Sequence, residues 1–169
     1  LPITRFQQTV RMANTDMGIP VQYVRHADEM TEEGIYATNY EMLHAFAGHH
    51  FAGVVLDESA ILAHIEAKTR KLILESFQDV PYRLSCTATP CPNDIAELAG
   101  QAEFLGVMTR NEMLSTFFVH DDEGWRLRGH AKQPFFRWLA SWAQAINTPD
   151  DIGFDGSAYV LPPLEIREH

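Results

Sequence analysis

The stretch FAGVVLDES, residues 51–59, constrains the fold more than any other part of the chain. Val54, Val55 and Leu56 are continuously apolar, and the run stops at two carboxylates, Asp57 and Glu58. Unbroken apolarity, as opposed to alternation, is the pattern of a central strand in a parallel sheet with helices over both faces. A second strand-like run, YRLSCT (82–87), follows an amphipathic stretch, ILAHIEAKTRKLILESF (61–77). There Ile61, Ile65, Leu72 and Phe77 fall roughly on one face, while Glu66, Lys68, Arg70 and Lys71 lie largely elsewhere. Strand, crossover helix and strand in this order predict a βαβ unit.

Further elements extend the pattern. Residues 19–24 (IPVQYV) and 34–38 (GIYAT) predict two more strands. Pro90, Pro92 and Asn93 punctuate the chain, and Asn93 or Asp94 is placed to cap a helix over 95–106, with a short helix following from Asn111. From about Asp121 the texture changes. HDDEGWRLRGH (120–130) predicts a turn and a short strand, and PFFRWLASWAQAI (134–146) an aromatic helix. The turn-rich NTPDDIGFDGSAYVLPPLEI that follows suits a connector toward another domain. The expected organisation is therefore an α/β domain with a mainly parallel sheet over 1–119 and a helical extension over 120–169.

With 169 residues, 46% of them hydrophobic, the chain has enough apolar surface for a sizeable core. A net charge of -10 argues against a nonspecific polyanion binder, because phosphate affinity comes from clustered Lys and Arg. Any nucleic-acid contact has to be local. Cys86 and Cys91 form a C-x4-C pair without the second pair of a zinc site, which points to reduced thiols. No secretory leader opens the chain and no apolar run approaches the roughly 20 residues of a membrane span, so a soluble, cytoplasmic protein is expected. The opening at Leu1, without Met, fits a piece of a longer protein.

An Asp-Glu pair at the carboxyl end of a parallel strand occupies the place where open α/β folds bind ligands. In phosphoryl transfer one such carboxylate, here Asp57, holds Mg2+ beside the phosphates, and a second, here Glu58, positions or deprotonates the attacking water. The alternative is a solvated pair at a strand end. Ser85, Thr87 and Thr89, set around Ala88 in SCTATP (85–90), place hydroxyls where they can sense the same phosphates, or simply terminate a strand before Pro90. Arg126, Arg128, Lys132 and Arg137, interleaved with Trp125, Phe135, Phe136 and Trp138, are the one basic and aromatic concentration. They suit either a DNA backbone or a helix that buries its rings and solvates its charges. His44, His49 and His50 lack zinc-ligand spacing, and no G-x-S-x-G elbow is present.

LDESA and SCTATP, in this order with a helix between them, resemble motifs II and III of superfamily-two helicases and their Swi/Snf-type DNA translocase branch. YATNYEML (36–43) resembles the motif Ib region, and LPITRFQQTV the end of the motif Ia strand with its helix. TPCPNDIAELAGQAEFLGVMTRNEMLSTFF is similar to the Swi/Snf segment after motif III, and LPPLEI (161–166) to the segment before the second motor domain. The resemblance implies a partial RecA-like, P-loop NTPase domain working with ATP and Mg2+ on DNA, RNA not being excluded. It implies Asp57 as the Mg2+-associated acid, through water, of a Walker B box, and Glu58 as the water-activating base. Ser85, Thr87, Ala88 and Thr89 become the motif coupling nucleotide state to DNA grip, and Thr38 and Asn39 nucleic-acid contacts, with Arg126 and Arg128 as further candidates. Ser59 and Ala60 depart from the usual Ala-His, Ala-Asp or Gly-His ending of the box.

Such a motor needs a G-x-x-x-x-G-K-[ST] loop to hold the nucleotide. The pairs Gly48–Gly53 and Gly124–Gly129 are followed by Val54 and His130 instead of Lys, so neither supplies it. The resemblance thus implies a missing P-loop segment before motif Ia and a missing second RecA-like domain, a chain inactive alone, and an exposed sheet edge beside 82–87 prone to self-association. The rival expectation is a noncatalytic α/β module that binds a protein or nucleic-acid partner.

Overall fold

A computed structural model describes residues 3–64, 67–122, 124–157 and 160. The chain is mixed α/β and divides into two compact units, Leu1–Arg128 and Gly129–His169. The first unit opens with α1 (Ile3–Thr15) and two short strands, β1 (Val21–Tyr23) and β2 (Ile35–Ala37), paired in parallel. Asn14, near the end of α1, clamps the start of β1. Its amide donates to the Val21 carbonyl at 2.8 Å and accepts from the Val21 N–H at 3.1 Å. β2 leads into a 3-10 segment, Tyr40–Phe46, and then β3 (Gly53–Leu56).

The crossover follows as expected in order and hand-over, although in two pieces: α2 (Ile61–His64) and α3 (Ala67–Phe77) connect β3 to a parallel β4 (Tyr82–Ser85). Position 65, expected on the apolar face of this helix, lies outside the described residues together with 66. After a 3-10 turn capped by Asp94, whose carboxylate accepts the Ala96 N–H at 2.7 Å, come α4 (Leu98–Phe104) and α5 (Arg110–Phe117). An antiparallel hairpin, β5 (Phe118–Asp121) with β6 (Gly124–Leu127), ends the unit. Leu43, Leu56, Leu62, Ile73, Phe77, Val80 and Phe104 form the core, drawn from the 3-10 segment, β3, α2, α3, the turn between α3 and β4, and α4.

Two expectations are corrected. The strands do not assemble into one mainly parallel sheet: among the described residues they form three separate two-stranded pairs, two parallel and one antiparallel. Nor does the apolar run of β3 have cover on both faces. Val54, Leu56, Arg83 and Ser85 turn toward the packed side, whereas Val55, Tyr82 and Leu84 stay 62%, 76% and 53% exposed. An unbroken apolar run is the same in sequence whether its second face is packed or bare.

Close contact between α2 and α4 depends on Gly100, because a Cβ there would sit 2.7 Å from the Leu62 carbonyl oxygen. α4 ends at Gly106, whose φ of +71° and pair of reversed backbone bonds (Gly106 to Glu103, Val107 to Ala102) make a left-handed helix stop. Arg83 donates to the Phe104 carbonyl at 2.8 Å, capping that end with positive charge, and Arg70 pairs with Glu103 at 3.1 Å. These contacts fix α4 against the β3–β4 pair.

The second unit carries α6 (Lys132–Ala140), which is shorter than the expected 134–146. The chain leaves the helix at Ser141, whose hydroxyl donates to the Trp138 carbonyl at 2.6 Å. Phe135, Trp138 and Trp142 form a chain of ring contacts with centroids 5.7 Å and 5.2 Å apart. Asp151 then accepts the Asn147 and Thr148 N–H groups, which holds its carboxyl below the usual carboxylate range. The LPPLEI segment lies outside the described residues.

Candidate functional site

β3 and β4 run parallel with Leu56 opposite Ser85, so the loops carrying Asp57–Glu58 and Cys86–Thr89 leave the same end of the pair. The ladder continues one step beyond the strands. The Cys86 N–H donates to the Leu56 carbonyl at 2.9 Å, and the Ser59 N–H donates to the Cys86 carbonyl at 2.9 Å. Asp57 and Glu58 are both exposed on the resulting turn. The Asp57 carboxylate accepts the Glu58 N–H at 3.0 Å, and Glu58 has φ +53°, the one left-handed non-glycine residue among those described. A side chain in that region costs roughly 1–3 kcal/mol and persists only where the surroundings over-determine it. Here they do.

Ser59, next in sequence, is fully buried, and its hydroxyl lies 3.0 Å from the Cys86 carbonyl and 2.8 Å from the Ser85 hydroxyl. Gln101, on α4 and 4% exposed, donates through its amide nitrogen to the Ser59 carbonyl at 2.8 Å. Its amide oxygen accepts the Ser85 hydroxyl. The opposite amide orientation would set two acceptors face to face at Ser59, so the network selects this one. Sequence reasoning noted Ser59 only as a departure from a motif and missed Gln101. A lone Gln in an Ala- and Gly-containing helix carries no sign that it faces inward.

From the other side, Tyr40 donates its hydroxyl to the Asp57 carbonyl at 2.7 Å. Burial first, then the charges of Asp57, Glu58 and Cys86, hold this phenol protonated well beyond its ordinary range. Tyr40 directly follows Thr38 and Asn39, so the loop after β2 reaches the carboxylate turn. The Thr38 Oγ1 and Asn39 Oδ1 atoms are closed off from solvent and have no hydrogen-bond partner. Burial and then Asp57 push the Cys86 thiol up, keeping it protonated.

The remaining candidates are placed differently. Thr87 turns its hydroxyl onto the Thr89 N–H at 3.1 Å, and Ala88 and Thr89 are exposed on the same loop. Arg126 lies on the hairpin and is paired with Asp121, while Arg128 reaches the Thr116 carbonyl at 3.4 Å. The structure therefore gathers Asp57, Glu58 and Ser85 at one turn, with Tyr40, Ser59 and Gln101 bonded to it, while Thr38 and Asn39 are linked to it through the neighbouring Tyr40 alone. The two arginines bond within the hairpin and to the end of α5. Among the described residues no three His, Cys, Asp or Glu side chains converge to hold a metal, and no helix is long and apolar enough to cross a membrane.

No protein-family model, curated protein or solved structure matches the chain.

Proposed function

We propose that this chain carries the Mg2+-associated and water-activating carboxylates of an ATP-driven helicase or translocase acting on DNA, built on a RecA-like plan. One observation carries the reading. An Asp-Glu turn leaves the carboxyl end of a parallel strand and is hydrogen-bonded, through Ser59 and Cys86, to a hydroxyl-rich turn from the neighbouring strand. That is where open α/β folds place phosphates.

Two exposed carboxylates, with no third His, Cys, Asp or Glu converging on them among the described residues, fit a hydrated Mg2+ shared with substrate phosphates and would not suffice for an all-protein cage. Asp57 would hold the ion through water, using the carboxylate oxygen left free by the Glu58 N–H. When bound, the ion would supply charge neutralisation at the phosphates. Glu58, aimed outward by its left-handed backbone, orients and accepts a proton from the attacking water. Ser85 and the Thr87–Thr89 turn report nucleotide state to the nucleic-acid contacts. Turnover needs backbone amides and a Lys to hold the triphosphate, and this sequence has no such loop, so ATP hydrolysis requires a phosphate-binding segment supplied from outside residues 1–169.

The bare face of Val55, Tyr82 and Leu84 favours a second reading, a noncatalytic α/β interaction module. Glu58→Gln separates the two in a protein that joins this chain to a phosphate-binding loop. Loss of DNA-stimulated ATP turnover by two orders of magnitude or more, as expected for removing a general base worth ~10²–10⁴-fold, supports the motor. Unchanged turnover removes it.

A further inference from the structure

Ser59 and Gln101 are the buried polar side chains of this fold among the described residues, and they bond to each other's elements. A buried polar network costs more than an apolar one unless its members find partners, and here the amide nitrogen and the amide oxygen of Gln101 each have one. An aliphatic residue at 101 would pack α4 equally well. What the amide adds is direction. It grips the carbonyl that follows the strained Glu58 peptide and the hydroxyl of Ser85 on the adjacent strand, while Gly100 brings the helix close enough for it to reach.

We propose that Gln101 is a positioning residue for the Asp57–Glu58 turn, holding the two carboxylates in the geometry that receives a divalent cation. The proposal rests on the reading above, in which Asp57 faces the cation through water and Glu58, beside it on the same turn, faces the attacking water. Gln101 itself touches neither the cation nor the phosphates. Its effect passes through the Ser59 carbonyl to the neighbouring peptide, and through Ser85 to the motif III-like turn. Partners that orient ligand groups in this way typically set metal affinity by about 10–100-fold.

Two substitutions test it on the 169-residue chain. Gln101→Met keeps the volume and removes both hydrogen bonds. Gln101→Glu keeps them only while protonated, when its O–H replaces the amide N–H and its carbonyl still accepts from Ser85. Burial raises such a carboxyl, so the acid form is retained at about pH 5.5 and lost by about pH 8.5. The probe is Mn2+ alone, read as paramagnetic broadening of Asp57 and Glu58 side-chain resonances, each variant compared with the unaltered chain at the same pH. Thermal unfolding of every sample is followed in parallel. The expected result is Mn2+ binding weakened about tenfold by Gln101→Met. Gln101→Glu should match the unaltered chain at the lower pH and fall to the Met level at the higher one.

Folded variants that bind Mn2+ like the unaltered chain at both pH values, whatever their melting temperatures, overturn the proposal and leave Gln101 a structural residue. If Gln101→Met does not fold, the pH series of Gln101→Glu decides alone. No broadening in the unaltered chain is a different failure: it overturns the cation role of Asp57 and Glu58, and the proposal with it.

Discussion

Replacing Gly100 with alanine sets two effects of opposite sign against each other. Within a helix, Gly→Ala removes a penalty of roughly 1 kcal/mol. Against this, the new Cβ falls 2.7 Å from the Leu62 carbonyl oxygen, 3.2 Å from its carbonyl carbon and 3.3 Å from its Cβ. The two nearest atoms are backbone, so no rotamer change relieves the contact, and α2 and α4 must separate by roughly half an ångström. Leu62 and Phe104, 2% and 1% exposed, lose packing on both sides of the gap, and overpacking of this kind typically costs about 1–3 kcal/mol. The shift also stretches the bond from Gln101 to the Ser59 carbonyl, worth about 1 kcal/mol. The sum is a net loss of about 1–3 kcal/mol. Urea unfolding followed by fluorescence reads it as a midpoint lowered by roughly 0.5–1.5 M, for a slope of about 2 kcal/mol per M. A midpoint that rises, as helix propensity alone would dictate, refutes the close approach of α4 to α2.

Two further outcomes follow from the same contacts. Tyr40 has its proton release raised by burial and by Asp57, Glu58 and Cys86, so its contribution to stability is complete below the unfolded phenol value, about pH 10, and declines as pH climbs from there toward the folded value. Alkaline unfolding of Tyr40→Phe should lack that decline, and identical curves for the two chains would remove the Asp57 contact. Charging the bare face through Leu84→Lys should reduce self-association in sedimentation at high concentration, because Val55, Tyr82 and Leu84 present no charge along that face; an unaltered chain that is monomeric at high concentration contradicts this.

The crossover from β3 to β4 was legible because its signals are local: an apolar run, an amphipathic stretch and a second apolar run. The position of Asp57 and Glu58 at a strand end came with it. What covers a strand is not local, and nothing in Val54–Leu56 distinguishes a packed second face from an open one. The interlock at Ser59 was invisible for a similar reason, since its partner stands 42 residues away on a helix whose inward face is set by Gly100. Among the hydroxyls expected to act together, Ser85 enters the network and Thr87 closes its own turn. The hairpin spans the change in texture near 120, and the compact units divide after Arg128. Arg126 sits across that hairpin from the acid that neutralises it, a pairing that depends on register and not on composition.

The backbone at position 58 asks for a different residue from the one it carries. With φ at +53°, glycine would sit there without strain, and asparagine with little. Selection for folding alone would erode the carboxylate, and a library sorted only for thermal resistance should drift toward small or amide side chains at this point. At this position the residue present and the residue the backbone favours differ.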